Sequence, residues 1–512
     1  MTPSQTDPSS WIEQVVAHEP DRPFLATTTG RYLSYGDLER ESRRLAATLS
    51  ALGVRQGDRV AMQVDKSPDA ILLYVACLRM GAVLLPLNTA YTAKELEYFL
   101  ADAQPRVAVV RPSDRAPLAE LAQRAGCSRL ETLGADGTGS LTDLVREFGE
   151  GPVPLPALPA PTLAALLYTS GTTGRSKGAM LTRGNLASNA AALADCWRFT
   201  AEDVLLHALP LFHVHGLFIS LNTVLAAGAS LLLLPRFDAA AVLRLLPSVT
   251  VLMGVPTYYT RLLEEAALDR EATAAVRLFV SGSAPLLADT HRAFAERTGH
   301  TILERYGMTE TLVNSSNPYD GARLPGSVGL PLADVDLRVT NLEDGSVEPD
   351  AGAVGMLEVR GPNVFTGYWN DARKSAEAFT ADRYFVTGDL GSIDEAGYVH
   401  IVGRAKDLVI SGGYNVYPKE IEAELDALPG IVESAVIGVP HPDLGEGVTA
   451  VVVAVRGAAL AESEVVQALQ GSLARYKVPR RVLFVDELPR NTMGKVQKAA
   501  LRETYAALYR RP

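Results

Sequence analysis

Residues 168–178, YTSGTTGRSKG, set four hydroxyls (Thr169, Ser170, Thr172, Thr173), three glycines (Gly171, Gly174, Gly178) and the amine of Lys177 directly behind an apolar run, Leu163 to Leu167. Glycine lets the backbone turn tightly and aim N–H groups at an anion, the hydroxyls add donors, and the ammonium adds mobile positive charge. The stretch therefore has the means to hold phosphate. Its spacing departs from the Walker arrangement, because no Gly-Lys-Ser/Thr follows four residues after a glycine. The same composition also suits a flexible surface loop, so the choice rests on the remainder of the chain. Four more stretches have the texture of loops that carry chemistry: 305–310 (RYGMTE), 384–390 (YFVTGDL), 403–407 (GRAKD) and 489–495 (PRNTMGK). Taken singly, Tyr306 could be a core tyrosine, Asp389 a turn aspartate and Lys495 a solvated surface lysine.

The elements that must position these residues are legible in the apolar periodicity. Ser34 precedes Leu38, Leu45, Leu49 and Leu52 at helical spacing, and Gly53 closes the segment,. Arg59 to Val64 reads as a strand, followed by a helix near Asp69 to Met80, a strand at Ala82 to Leu87, a helix from Thr92 and a strand at Arg106 to Val110. That alternation predicts a parallel sheet covered by helices, with ligand loops at strand ends. Asp136 to Pro161, rich in Gly and Pro, reads largely as a surface excursion. Val204 to Leu209, Ser230 to Leu234, Val249 to Met253 and Arg277 to Val280 continue the α/β pattern. From Ser327 the texture shifts to short runs with Gly and Asp turns (Leu337 to Val339, Gly355 to Arg360, Tyr398 to Val402), which predicts an antiparallel β subdomain. Beyond Gly403, helices at Pro418 to Leu428 and Glu462 to Leu473 and strands at Ile431 to Val439, Val448 to Val455 and Val482 to Val485 predict a compact α+β domain,. The expected fold is thus α/β: a large N-terminal domain of sheet layers with an antiparallel β subdomain, and a small C-terminal α+β domain.

Composition bounds the function. The 512 residues suffice for about three domain-sized units, and 47% hydrophobic content supports a substantial core,. A formal net charge of −11 argues against nucleic-acid and anionic-membrane partners, so any anionic substrate must be met by a local basic pocket,. Cys77, Cys127 and Cys196 are widely spaced, without metal-ligand spacing, as in a reduced intracellular protein,. Met1 to Ser10 lacks the pattern of a secretory signal, and Arg79, Gly81 and Pro86 interrupt the most apolar region before it reaches a membrane-spanning length,. A cytoplasmic location is the expectation.

In this order and at these distances, the five stretches resemble the acyl-adenylate-forming superfamily of acyl-CoA synthetases, adenylation domains and beetle luciferases, over nearly the whole chain. The resemblance implies ATP, Mg²⁺ and coenzyme A as reactants. Thr169, Ser170, Gly171, Thr172, Thr173 and Lys177 would hold the β- and γ-phosphates. Tyr306 would stack on adenine beside the backbone of Ser283, Ala284 and Pro285, with Glu304, Arg305, Gly307 and Met308 completing the nucleotide site. Thr309 would bind the α-phosphate, Glu310 the Mg²⁺, and Asp389 with Arg404 the ribose. Lys495 would bridge the substrate carboxylate and the α-phosphate, stabilising the transition state. The family also implies domains at 1–403 and 408–512 joined by a 404–407 hinge. There Lys406 would turn the mobile C-terminal domain and bring Ser411, Gly412, Gly413 and Tyr414 to line a tunnel for the CoA thiol.

For the acid itself, 210–216 (PLFHVHG), 253–262 (MGVPTYYTRL), 303–308 (LERYGM) and 317–321 (NPYDG) closely resemble malonyl-CoA synthetases. The implied acyl pocket comprises His213, Arg261, Ser281 and Met308, with the Arg261 guanidinium forked onto the distal carboxylate of malonate, or of methylmalonate. From spacing alone Arg261 could equally be a helix-surface residue paired with Glu264 or Glu265. Other readings stay open: a CoA ligase for another small, medium-chain or aromatic acid, an adenylation enzyme loading a carrier protein, or a non-catalytic nucleotide-binding scaffold. A lysine acetyltransferase acting on Lys495 is the regulatory partner this chemistry would admit.

Overall fold

The computed structural model describes residues 8–151, 156, 158–169, 176–347, 350–412, 414–458, 460–491 and 495–509. It is an α/β protein whose chain divides into two compact units. Unit 1 comprises 1–286, 290–337 and 359–385; unit 2 comprises 287–289, 338–358 and 386–512. The expected hinge at 404–407 lies within unit 2. Among the described residues, no helix is long and apolar enough to cross a membrane.

Unit 1 contains two sheets. The first has six strands in the order 129–132, 107–110, 59–63, 83–86, 163–169 and 177–182, parallel except for the final hairpin. The second has nine, in the order 330–331, 315–316, 303–306, 278–281, 251–254, 204–207, 230–233, 23–27 and 32–34. Its middle six strands run parallel. Both faces of that block are covered, so alternate residues feed different cores. Val251, Met253, Val280 and Leu303 enter the main core, whereas Leu252, Phe279 and Ile302 enter a second one,.

Local signals start the helices where the sequence places them. Ser34 and Thr92 each accept from the backbone N–H three residues on and are answered by Asp37 and Glu95, closing capping boxes on helices Tyr35–Ala51 and Ala93–Ala103,. Each such cap contributes about 1 kcal/mol. Thr182 does the same with Asn185 for helix Arg183–Cys196, so strand Lys177–Thr182 passes straight into a helix.

Two differences from the sequence reading follow from physics that composition hides. The segment 136–161 is not only an excursion. It carries helix Ser140–Phe148, which buries Leu141. The strand expected at 163–167 runs on to Thr169 and is answered by antiparallel Lys177–Thr182, with Thr169 opposite Lys177. Lys177 therefore stands on a strand at the neck of a hairpin. Gly178 keeps the packing close there: a Cβ would come within 2.8 Å of the Leu166 side chain and 3.2 Å of Trp369.

Unit 2 contains most of a four-stranded sheet, 336–340, 355–360, 385–393 and 399–404, of which 336–337, 359–360 and 385 belong to unit 1. It also contains a five-stranded sheet in which 431–441 and 445–454 pair antiparallel and 481–485 lies parallel to 445–454. Helices Pro418–Asp426 and Glu462–Leu469 cover the latter around Ile421, Leu425, Val465 and Leu469.

Candidate active site

In unit 1 the hairpin of strands 163–169 and 177–182 is held from its neck. Ser170, Gly171, Thr172 and Thr173 lie outside the described residues, but both flanks are fixed. The Tyr168 ring packs on Phe99 with centroids 4.6 Å apart, and the Tyr98 hydroxyl donates to the Ser176 carbonyl at 2.8 Å. Residues 367–369 join through an antiparallel bridge, with Met180 N–H donating to Gly367 O at 3.0 Å and Trp369 N–H to Gly178 O at 2.7 Å. This brings Tyr368 beside Lys177, whose ammonium lies 4.7 Å from the ring centroid. The Tyr368 hydroxyl donates to Glu310 Oε1 at 3.1 Å. Lys177 and Glu310, 133 positions apart in the sequence, are thus gathered by a residue the sequence reading missed.

Thr309 and Glu310 sit on the loop that leaves strand Leu303–Tyr306 and returns at Ser315–Ser316. The turn is tight: a Cβ on Gly307 would stand 1.8 Å from Leu312 O, and Leu312 itself has φ +57°. Thr309 and Met308 are half-buried there and Glu310 is buried. The loop expected beside adenine is anchored twice. Glu304 Oε1 accepts from Leu286 N–H at 3.0 Å, and His215 Nδ1 lies 3.1 Å from Ser283 Oγ. Ser283 is held at φ +72°, a conformation that side chains other than glycine seldom adopt,. Glu304, expected to serve the nucleotide, clamps the loop on which Ser283, Ala284 and Pro285 ride.

Arg305 points to the opposite face from Glu304. It is buried, its Nε and Nη2 lack any partner, and burial pushes the guanidinium down to about 9. Gly282 leaves room for it, since a Cβ there would fall 2.4 Å from Arg305 Nε. The same charge helps push His215 well below its ordinary value, after burial, with lesser contributions from His213 and His207. His215 Nε2 and His207 Nδ1 are buried without partners. His207 Nε2 pairs with Gly216 O at 2.8 Å, and burial, with Lys66 nearby, pushes His207 down to about 3. Lys66 donates to His207 O at 2.6 Å, and burial lowers its own ammonium. Half-buried Lys66, buried Arg305 and neutral imidazoles therefore gather in one corner of an acidic protein. Lys66 carried no signal in the sequence beyond its place after strand Arg59–Gln63.

The acyl residues named from the sequence are not all in that corner. His213 Nδ1 accepts from His215 N–H at 3.2 Å. Ser281 is in register with Glu304 and so lies on the face away from Arg305; its buried Oγ has no partner. Arg261, on helix Pro256–Glu264, is exposed. Among the described residues it pairs with neither Glu264 nor Glu265, and its charge is felt by Tyr258, whose hydroxyl burial pushes up to about 12.

In unit 2, Asp389 and Arg404 face each other across antiparallel strands, with Arg404 Nε 2.7 Å from Asp389 Oδ1. The Asp389 N–H donates to Thr387 Oγ1 at 3.0 Å, which fixes the strand beside the pair. Burial lowers the Lys406 ammonium. Ser411 is buried, Gly412 turns at φ +58°, and exposed Tyr414 stacks on Tyr476 at 4.7 Å; Gly413 lies outside the described residues. Lys495 is exposed, its N–H donating to Asn491 Oδ1 at 3.0 Å and its carbonyl accepting from Asn491 N–H at 2.9 Å. Ion pairs brace its flanks: Arg490 with Glu433, Lys498 with Glu422 at 2.6 Å, and Arg502 with Asp407.

The AMP-binding enzyme family model matches residues 12–369, and the AMP-binding enzyme C-terminal domain matches 420–495. A crystal structure of ATP-bound MatB from Rhodopseudomonas palustris is similar at TM-score 0.95 and 55% identity, covering 98% of this chain and 100% of that one. An indoleacetate–CoA ligase of Aromatoleum aromaticum is 36% identical over 97% of this chain and 98% of its own length. The mitochondrial malonate–CoA ligase ACSF3 of Mus musculus is 37% identical over 94% and 88%. The chain belongs to the AMP-binding enzyme family and is an ATP-dependent, adenylate-forming acid–CoA ligase.

Proposed function

We propose that the enzyme ligates malonate to coenzyme A through malonyl-AMP, with methylmalonate as a second substrate. The observation that carries a second carboxylate is the buried Arg305 guanidinium, whose Nε and Nη2 have no protein partner. An unpaired buried cation is costly, and a substrate carboxylate on its fork would relieve that cost with two charge-assisted hydrogen bonds. This gives Arg305 the role expected of Arg261, which would contribute longer-range attraction from its exposed helix. A monocarboxylate would leave Arg305 bare, and a site built to bind a polar group discriminates strongly against analogues that lack it.

In the first half-reaction a malonate oxygen attacks the α-phosphorus, the new acyl–phosphate bond forms, and pyrophosphate leaves with the electrons of the broken P–O bond. Lys495 stabilises charge at the α-phosphate with Thr309, while Lys177 and the hydroxyls of 169–173 hold the leaving pyrophosphate. Glu310 suits Mg²⁺: it is a hard oxygen donor held in place by the Tyr368 hydroxyl, and a cation that keeps several waters needs only one or two carboxylates besides phosphate,. Bound there, Mg²⁺ would supply charge neutralisation on the phosphates. In the second half-reaction the CoA sulfur attacks the acyl carbon, AMP departs, and the thiol proton passes to solvent. Residues 404–407, with Lys406, serve as the hinge that exchanges Lys495 for the 411–414 segment. A cytoplasmic location fits these substrates, and exposed Lys495 is open to an acetyltransferase.

The test is ATP- and CoA-dependent thioester formation across mono- and dicarboxylic acids from C2 to C12, with indoleacetate included. Malonate should lead in kcat/KM. A clear preference for hexanoate or an aromatic acid would sink the assignment.

A further inference from the structure

Tyr368 touches both of the charged groups assigned to the triphosphate end of ATP. Its hydroxyl donates to Glu310 Oε1 at 3.1 Å, and its ring face carries the Lys177 ammonium at 4.7 Å. The ring is fixed from three directions. It packs edge-on against Phe365 with centroids 4.9 Å apart, its backbone N–H donates to Ser375 Oγ at 2.8 Å, and it lies opposite Ala179 in an antiparallel bridge to the Lys177 strand. Its side chain is buried together with that of Glu310.

We propose that Tyr368 is a positioning residue that keeps Glu310 and Lys177 apart and aims both at the Mg²⁺–triphosphate. Opposite charges this close would otherwise pair with each other, and a Lys–Glu ion pair would occupy the groups that metal and phosphate require. Among the described residues Lys177 makes no such pair. The phenol gives the buried carboxylate a neutral donor, which orients it without cancelling its charge. The ring face attracts the ammonium through its quadrupole and leaves the three N–H donors for phosphate oxygens. A tyrosine supplies both functions from one side chain; phenylalanine supplies only the second. The inference rests on Glu310 serving Mg²⁺ and Lys177 serving phosphate.

Calorimetric titration of the full-length enzyme with ATP in excess Mg²⁺, ATP in EDTA, and AMP tests this without turnover. Y368F keeps the ring and its packing, and circular dichroism would confirm its fold. Its Kd for Mg-ATP should rise about tenfold, the usual loss for a hydrogen bond to a charged group, with the EDTA and AMP values unchanged. E310Q should abolish the Mg²⁺ advantage, and adding Y368F to E310Q should cost nothing further, because the hydroxyl acts through that carboxylate. If Y368F binds Mg-ATP like the wild type while E310Q is impaired, Tyr368 is a packing residue and the inference fails. An unimpaired E310Q would overturn the metal role of Glu310, and the positioning role with it.

Discussion

Two arginines, one on a helix and one on a strand, show how far environment outweighs residue type. Arg261 is exposed on the helix that follows strand Val251–Gly254. Arg305 is buried in strand Leu303–Tyr306 with two nitrogens unpartnered. Both carry the planar fork that fits a carboxylate, and sequence resemblance favours the first. Water already solvates the exposed fork, so an anion there exchanges one good environment for another and is screened by salt. The buried fork has no protein partner for its Nε or Nη2. The same carboxylate is therefore worth more at Arg305, even though Arg305 stands in a stretch that reads as nucleotide-binding.

The largest expected effect comes from removing the buried charge. R305M should lower kcat/KM for malonate about a hundredfold or more, the usual scale for stripping one partner from a buried charge pair. Relative activity on acetate or propionate should rise. The same substitution should stabilise the ligand-free enzyme by about 1 kcal/mol or more in denaturant titration, because an uncompensated buried cation is replaced by packing. A variant that loses both malonate activity and stability would mean that Arg305 is structural.

A pH series separates the two arginines further. Burial pushes Arg305 down to about 9, and a bound carboxylate favours its charged form. The malonate KM should therefore be flat below about pH 9 and climb above it, by about tenfold per unit. R261A should keep this rise, whereas R305M should abolish it. A rise that persists in R305M would assign the titration elsewhere.

R261A should cost about fivefold or less in kcat/KM, with the deficit fading as salt is raised, as for an exposed ion pair. A loss as large as that of R305M would reverse the comparison. The smallest effect belongs to S281A. Its hydroxyl is buried without a partner on the face away from Arg305, so stability and malonate kinetics should stay within about 0.5 kcal/mol of the wild type.

The strands and helices were readable because their signals are local. Ser34, Thr92 and Gly53 punctuate helices by backbone chemistry that needs no distant partner, and the apolar strand runs declare a buried parallel sheet. Family resemblance assigns Asp389 and Arg404 to one sugar, and strand register sets the two opposite each other. Helix Ser140–Phe148 was obscured by the Gly and Pro around it, and the hairpin partner of strand Leu163–Thr169 by the hydroxyl-rich loop between them. Lys66 and Tyr368 left no mark because each gains meaning only from a neighbour far away in sequence.

The sequence by itself determined the family, the α/β order of elements and the residues able to hold phosphate, since each is written in contiguous composition and spacing. Only the tertiary structure decided which cation is buried and which is solvated, and that Lys177 and Glu310 meet at one tyrosine ring. Desolvation and through-space contact are properties of the packed chain: the pleat sends Glu304 and Arg305 to opposite faces, and burial separates two arginines that the alphabet spells alike.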